Sequence, residues 1–196
     1  TSRAEYRILL RQDDADRRLT PRSFAIGLAS EERMKKVERK KEQTESLVSY
    51  IKSCSVLPKQ VNPLFVELGT PEISQKMRLA QLLLRPQVSF EQMKECCSDL
   101  KKATSEIDED IREEVCESAE ILVKYESYIN KEEEIVNRLS KYENFKIRND
   151  FDYSQIKALS FEAREKLNRI RPQTIGQAGR ISGVSPADIS VLIIYL

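Results

Sequence analysis

Arginines four residues apart open the sequence. Arg3, Arg7 and Arg11 stand in that spacing, and Arg17 and Arg18 follow. A guanidinium group is weakly hydrated and presents a planar fork of donors that matches phosphate oxygens two at a time. A helix through this stretch would align the first three on one face. Asp13, Asp14 and Asp16 are interleaved with them. Spacing alone leaves open whether the row grips phosphates or forms an internal Arg–Asp network.

Other chemistries are excluded by what is missing. The chain contains no His, so His-based acid–base catalysis, catalytic triads and His-containing metal sites are out. Its four cysteines, Cys54, Cys96, Cys97 and Cys116, form no CxxC pair. Cys96 and Cys97 are adjacent, which is poor geometry for two ligands on one zinc ion, so no metal site is expected. Reduced, partly buried cytoplasmic thiols are the plainer reading. Asp108 with Glu109, and Glu132 to Glu134, read as a solvated helix face rather than as catalytic acids.

Gly183-Val184-Ser185, with Ile189-Ser190 beyond, matches the turn and second helix of a helix-turn-helix, and Gly179 supplies its small residue. The would-be recognition helix, Pro186 to Tyr195, carries one acid and neither a base nor an amide. It cannot make bidentate contacts to base edges, so no sequence-specific DNA binding is expected. Gly176, Gly179 and Gly183 fall on one helical face, with no following Lys as in a P-loop; close approach of two helices is the better account.

The elements that must position these residues are helical. Only 5 Gly occur in 196 residues, and 33% of side chains are charged. The net charge of +1 hides a segregation. Residues 1–53 carry 13 basic and 9 acidic side chains, residues 104–143 carry 5 and 13, and residues 157–196 carry 6 and 3. Basic ends can hold a polyanion while the acidic middle stays solvated or pairs with the first basic helix. Thr20-Pro21 signals a short helix closed by Gly27. Ser30 can cap a helix over about 31–52, with Met34, Val37, Leu47, Val48 and Ile51 as its apolar stripe. Pro58, Pro63 and Pro71 make 53–75 a connector with short structure at most. Short helices follow over 76–100, the second opened by a Ser89/Gln92 capping box. Val115, Leu122, Ile129 and Val136 recur every seven residues, with Ile111, Tyr125 and Leu139 as a second row. That pattern predicts one long helix over about 106–143, packed antiparallel against the lysine-rich helix. Ser160, Thr174 with Gln177, and Ser185-Pro186 with Asp188 each open a helix in the tail. The longest apolar run, Val191 to Leu196, is too short to span a bilayer, and no signal peptide is read. Thr1 without a preceding Met predicts a piece of a longer protein.

Several blocks together, TSRAEYRILLRQDDADRRLT, LLLRPQVSFEQM, VKYESYINKEEEIV and FDYSQIKALSFEAREKLNRIRPQTIGQAGRISGVSPADISVLIIYL, resemble the C-terminal part of the glucose-inhibited division protein A (MnmG) family. The resemblance runs end to end and is weakest at about 53–80. It implies the C-terminal domain of a flavoenzyme that installs a carboxymethylaminomethyl group on the wobble uridine of certain tRNAs. The implied cofactors of the whole enzyme are FAD, NADH and methylenetetrahydrofolate, with none expected in this piece. The implied partners are tRNA, the GTPase MnmE, and a second copy bound through the flavin domain. The resemblance also implies that the family's catalytic cysteines lie upstream, so this piece is expected to be non-catalytic. By matching block, Arg7, Arg11, Arg18, Arg85, Lys124, Arg171 and Arg180 are the tRNA-contact candidates; Tyr125 fits that role or seam packing. The GTPase contact falls on the terminal cluster, with Gly183, Val184, Ile189, Leu192 and Tyr195 as candidates. Gly179 departs from the Ser expected there, which removes a hydroxyl.

The expected fold is all-α, with two long antiparallel helices and a C-terminal cluster of short helices containing a helix-turn-helix-like unit. The expected divisions are 1–26, an edge of the flavin domain; 27–143, the long-helix domain; and 144–196, the terminal cluster. A purely structural adaptor that binds only protein is the rival reading.

Overall fold

The computed structural model describes residues 6–196, apart from the side chain of Leu139. Two compact units divide it: Leu10–Tyr128, and Ile129–Leu196 together with the chain up to Leu9. The division falls inside a helix at residues 128/129, rather than between residues 143 and 144.

In the first unit, α1 (Ala15–Ala25) starts after Asp14 and so begins well before Thr20. Pro21 lies within it, where its missing N–H forgoes one backbone bond without ending the helix. Gly27 takes φ +77 in the turn that follows, a value that favours glycine. The Ser30 hydroxyl accepts from the Arg33 amide and opens α2 (Glu31–Ser53), which buries Val37, Thr44, Leu47 and Ile51. The proline-rich connector is more ordered than its composition predicts. It contains a two-residue strand β1 (Ser55–Val56) and helix α3 (Pro58–Glu67), with Pro58 at the helix start and Pro63 inside. Strand β2 (Met77–Arg78) pairs antiparallel with β1, Ser55 opposite Arg78. Then come α4 (Leu79–Leu83), α5 (Phe90–Cys96) and α6 (Ser98–Ser105), with the Ser89/Gln92 capping box in place at α5.

Helix α7 (Arg112–Lys141) is 30 residues long, about 45 Å. Its first half belongs to this unit and buries Val115, Cys116, Ala119 and Val123; with Ile111 just ahead of the helix, Val115, Ala119 and Val123 follow an i+4 row rather than the heptad row of the sequence pattern. Leu122 is only partly buried and Tyr125 is 48% exposed, so Tyr125 is not seam packing; Leu139 lies outside the described side chains. The row moves because α7 meets several short helices, not one coiled partner, and an undistorted helix repeats every 3.6 residues. These residues join Phe65, Leu79, Leu82, Phe90, Met93 and Leu100 in one core.

The pairing of the two long helices corrects the expected direction. Lys40 meets Glu114 and Lys52 meets Glu126. Both numbers rise together, so α2 and the first half of α7 run parallel. A short loop would have forced them antiparallel, but residues 54–111 carry the chain back along the bundle before α7 starts.

The second unit builds its core from Ile147, Tyr153, Ile156, Leu159, Leu167, Ile175, Val184, Ile189 and Leu192, among others. Helix α8 (Phe161–Ile170) is capped by Ser160, which accepts from the Ala163 amide. Arg171 ends it in the left-handed region at φ 53. Thr174 caps α9 (Ile175–Gly179), and the Ser185/Asp188 capping box opens α10 (Pro186–Tyr195). Gly179 packs on Ile189, and Gly183 turns the chain at φ +93. The tight helix-turn-helix geometry is present. The fold class is all-α, since the only sheet among the described residues is the two-residue pairing of β1 with β2.

Candidate functional site

The arginine row is not continuous. Tyr6 sits at φ 54 and Arg7–Leu9 form a single 3-10 turn, so no helix aligns Arg7 with Arg11, and the two fall in different units. Arg3 lies outside the described residues. Arg11 pairs with Asp13 at 3.1 Å and with Asp14 at 3.7 Å. Arg18 bonds Asp14 at 2.8 Å and also donates to the Arg11 carbonyl. The internal Arg–Asp network therefore claims both, which are only 17% and 31% exposed. Arg7 is exposed and has no acidic partner among the described residues.

Other tRNA-contact candidates are also engaged in holding the fold. Arg85 lies 4.5 Å over the Phe65 ring and donates to the Pro71 carbonyl. Lys124 pairs with Glu120 and donates to the Val88 carbonyl. Arg171 donates to the carbonyls of Phe151 and Asn168 and stands 5.9 Å from the Tyr153 ring centre. Arg180 pairs with Glu143 at 3.0 Å but is 66% exposed. A surface pair of that kind is worth less than about 1 kcal/mol, so its cation can be surrendered to a phosphate at little cost.

The terminal partner candidates divide by burial. Val184, Ile189 and Leu192 are core residues, which corrects their expected role as direct contacts. Their alternation reads as an apolar face from the sequence, and the unit's own core uses that face. Gly183 is exposed but crowded by Glu162 and Lys166. Tyr195 is 56% exposed and its neighbour Ile194 81%, and Phe161 at the start of α8 is 80% exposed. Sequence reasoning missed Ile194 and Phe161, because an exposed apolar side chain looks the same as a buried one until its neighbours are placed.

Between α7, α9 and α10 lies a cavity of about 270 Å³, lined by Tyr6, Val136, Ser140, Gly176, Val184 and Ile189, among others. Gly176 donates its amide to the Glu143 carbonyl, and a Cβ there would stand 2.9 Å from that same oxygen. The close approach at Gly176 is therefore between α9 and the turn after α7, rather than the approach of two helices that the glycine spacing predicts.

Among the described residues no cluster of His, Cys, Asp or Glu could hold a metal ion. Burial pushes the Cys96 and Cys116 thiols above their ordinary range, which keeps them protonated and poorly nucleophilic. Among the described residues no helix is long and apolar enough to cross a membrane.

Comparison with known proteins agrees with this picture. The family model described as the tRNA modifying enzyme MnmG/GidA C-terminal helical domain matches residues 31–133. That of the MnmG/GidA C-terminal helical bundle matches residues 135–196. The tRNA uridine 5-carboxymethylaminomethyl modification enzyme MnmG of Christiangramia forsetii is 47% identical across 100% of this chain and 31% of its own length. Its counterpart from Bacteroides thetaiotaomicron is 48% identical across 99% of this chain and 31% of its own. A solved structure of Aquifex aeolicus GidA superposes with a TM-score of 0.57 and 33% identity, covering 98% of this chain and 28% of that one. The chain thus spans about a third of the length of the curated relatives it matches. It belongs to the MnmG/GidA family, as the family's C-terminal helical domain and bundle.

Proposed function

We propose that this chain is the tRNA-binding and partner-docking domain of a flavin-dependent enzyme that adds a carboxymethylaminomethyl group to the wobble uridine of certain tRNAs. The observation that carries it is the match of two successive C-terminal models of one tRNA-modifying family, which together take in nearly everything beyond residue 30. FAD, NADH and methylenetetrahydrofolate would serve the remainder of that enzyme, and a flavin domain outside this chain would form its homodimer. Within this chain Arg7 is the best phosphate contact at the arginine row, because it alone of Arg7, Arg11 and Arg18 lacks an acidic partner among the described residues. Arg180 joins it by giving up Glu143. The GTPase MnmE would dock on the apolar end of α10, at Ile194 and Tyr195.

Fluorescence anisotropy with bulk tRNA across a salt series tests the reading. Arg7→Ala is expected to weaken binding and to lower the log–log salt slope by about 0.7–0.9, the share of one phosphate contact. Arg11→Ala should leave the slope unchanged. Ile194→Asp should abolish capture of the GTPase and spare tRNA. A chain that binds the GTPase but no tRNA at low salt would support the protein-only adaptor instead.

A further inference from the structure

The charge of α7 reverses along its length. Residues 112–134 hold three basic and eight acidic side chains, whereas residues 135–148 hold four basic and one acidic. That one acid, Glu143, is already paired with Arg180, and Arg148 is paired with Asp150. Arg138, Lys141 and Lys146 are left exposed and without an acidic partner among the described residues. Beside them stand two exposed aromatic rings. Tyr142 and Phe145 are 37% and 47% exposed, edge to face with centres 6.5 Å apart.

The patch is held in shape. Glu143, Phe145 and Ile147 are each tied by a backbone hydrogen bond to the start of α9 or to Gln173 just ahead of it. Gly176 donates to Glu143 at 2.9 Å, Ile175 donates to Phe145 at 3.0 Å, and Ile147 donates to Gln173 at 2.8 Å. The turn that carries the rings is therefore fixed before anything binds, which lowers the entropy lost on binding. On α7 itself, Val136 and Ser140 face the cavity, and at about 100° per residue Arg138 and Lys141 point away from it.

Unpartnered cations interleaved with fixed, exposed aromatic rings suit a strand of nucleic acid whose bases are unpaired. Phosphates meet the cations, and a splayed base stacks on a ring. A protein partner would have to meet the three cations with carboxylates of its own, whereas an RNA strand supplies a phosphate at every nucleotide.

We infer that the end of α7 and the following turn form a second RNA site. In it Arg138, Lys141 and Lys146 hold the backbone of a single-stranded segment, and Tyr142 or Phe145 stacks one of its bases. The inference rests on the reading of this chain as an RNA-contacting domain.

The test uses the whole 196-residue chain and a short fluorescein-labelled oligouridylate, with a blunt RNA duplex of equal length as competitor. Tyr142→Leu with Phe145→Leu should weaken oligouridylate binding about tenfold without changing its salt slope. Arg138→Gln with Lys141→Gln and Lys146→Gln should lower that slope by about 2. The duplex should compete poorly, and Arg7→Ala should leave oligouridylate binding intact while weakening tRNA. Circular dichroism melts confirm that each variant is folded. Equal binding by wild type and the aromatic variant, equal competition by duplex, or no oligouridylate binding at low salt each overturns the inference. If Arg7→Ala still weakens tRNA in that case, the proposed function stands. Loss of all tRNA binding by the wild-type chain would overturn the function itself.

Discussion

Removing the Asp188 carboxylate would strand two backbone amides at once. One oxygen accepts from the Ser160 amide at 2.8 Å and the other from the Ser185 amide at 3.0 Å, while the residue itself is 5% exposed. Asp188→Ala is therefore expected to cost about 2–4 kcal/mol, as two part-buried amides lose an ionised partner, with a matching drop in the thermal midpoint by circular dichroism. The pH dependence has a definite sign. Burial pushes the Asp188 pKa up, but hydrogen bonds from Ser185 and Ser160 outweigh it and leave it below the ordinary 3.8. Its contribution is then complete above pH 3.8 and is lost as pH falls through the lower folded value. An acid melt series of wild type and Asp188→Asn should converge only there. A midpoint difference already vanishing near pH 6 would contradict this account. Lys40 has the opposite sign: burial lowers its pKa, yet Glu114 and Asp16 together raise it above 10.5. Its share of stability persists through neutral pH and disappears only in strong alkali.

At the level of elements, the parallel register of α2 and α7 has a direct test. Lys52→Glu and Glu126→Lys should each destabilise the chain modestly, and the double exchange should recover about 0.5–1 kcal/mol of coupling, read from urea melts. An antiparallel arrangement would show no coupling at that rung. The caps at Ser30, Ser89, Ser160, Thr174 and Ser185 were all legible in the sequence, because a cap joins residues three apart and its chemistry is local. Helix α1 was not legible in full: Thr20-Pro21 imitates a start signal although the helix begins at Ala15. The direction of α7, the Ala119 and Val123 face and the partners of Arg11, Arg85 and Lys124 were also hidden. The direction of α7, its buried face, the partners of Arg85 and the Val88 carbonyl that Lys124 reaches depend on where a distant segment returns. Arg11 instead chose the local Asp13 and Asp14 from two readings that the spacing left open. The candidate site was legible as residue types and not as availability, since an arginine that grips phosphate and one that braces a carbonyl have the same letter.

For the whole chain, the second unit's core draws only on residues from Ile147 onward. A fragment of residues 129–196 should therefore fold alone, with helical circular dichroism and a cooperative melt; a flat, featureless thermal trace would refute it. Small size makes its margin thin, since a domain of that length buries only about 60% of its surface. Helix α7 opens with Glu113 and Glu114 and closes with Arg138 and Lys141. Each end thus carries the charge opposite to its own partial charge, about half an elementary charge of positive sign at the start and of negative sign at the close. The same order sets a limit on what α7 can hold. An anion approaching its last turn meets outward-pointing carbonyls that repel it. Whatever phosphate settles there is held by side chains reaching past the helix, and shortening those arms should release it even if their charge is kept.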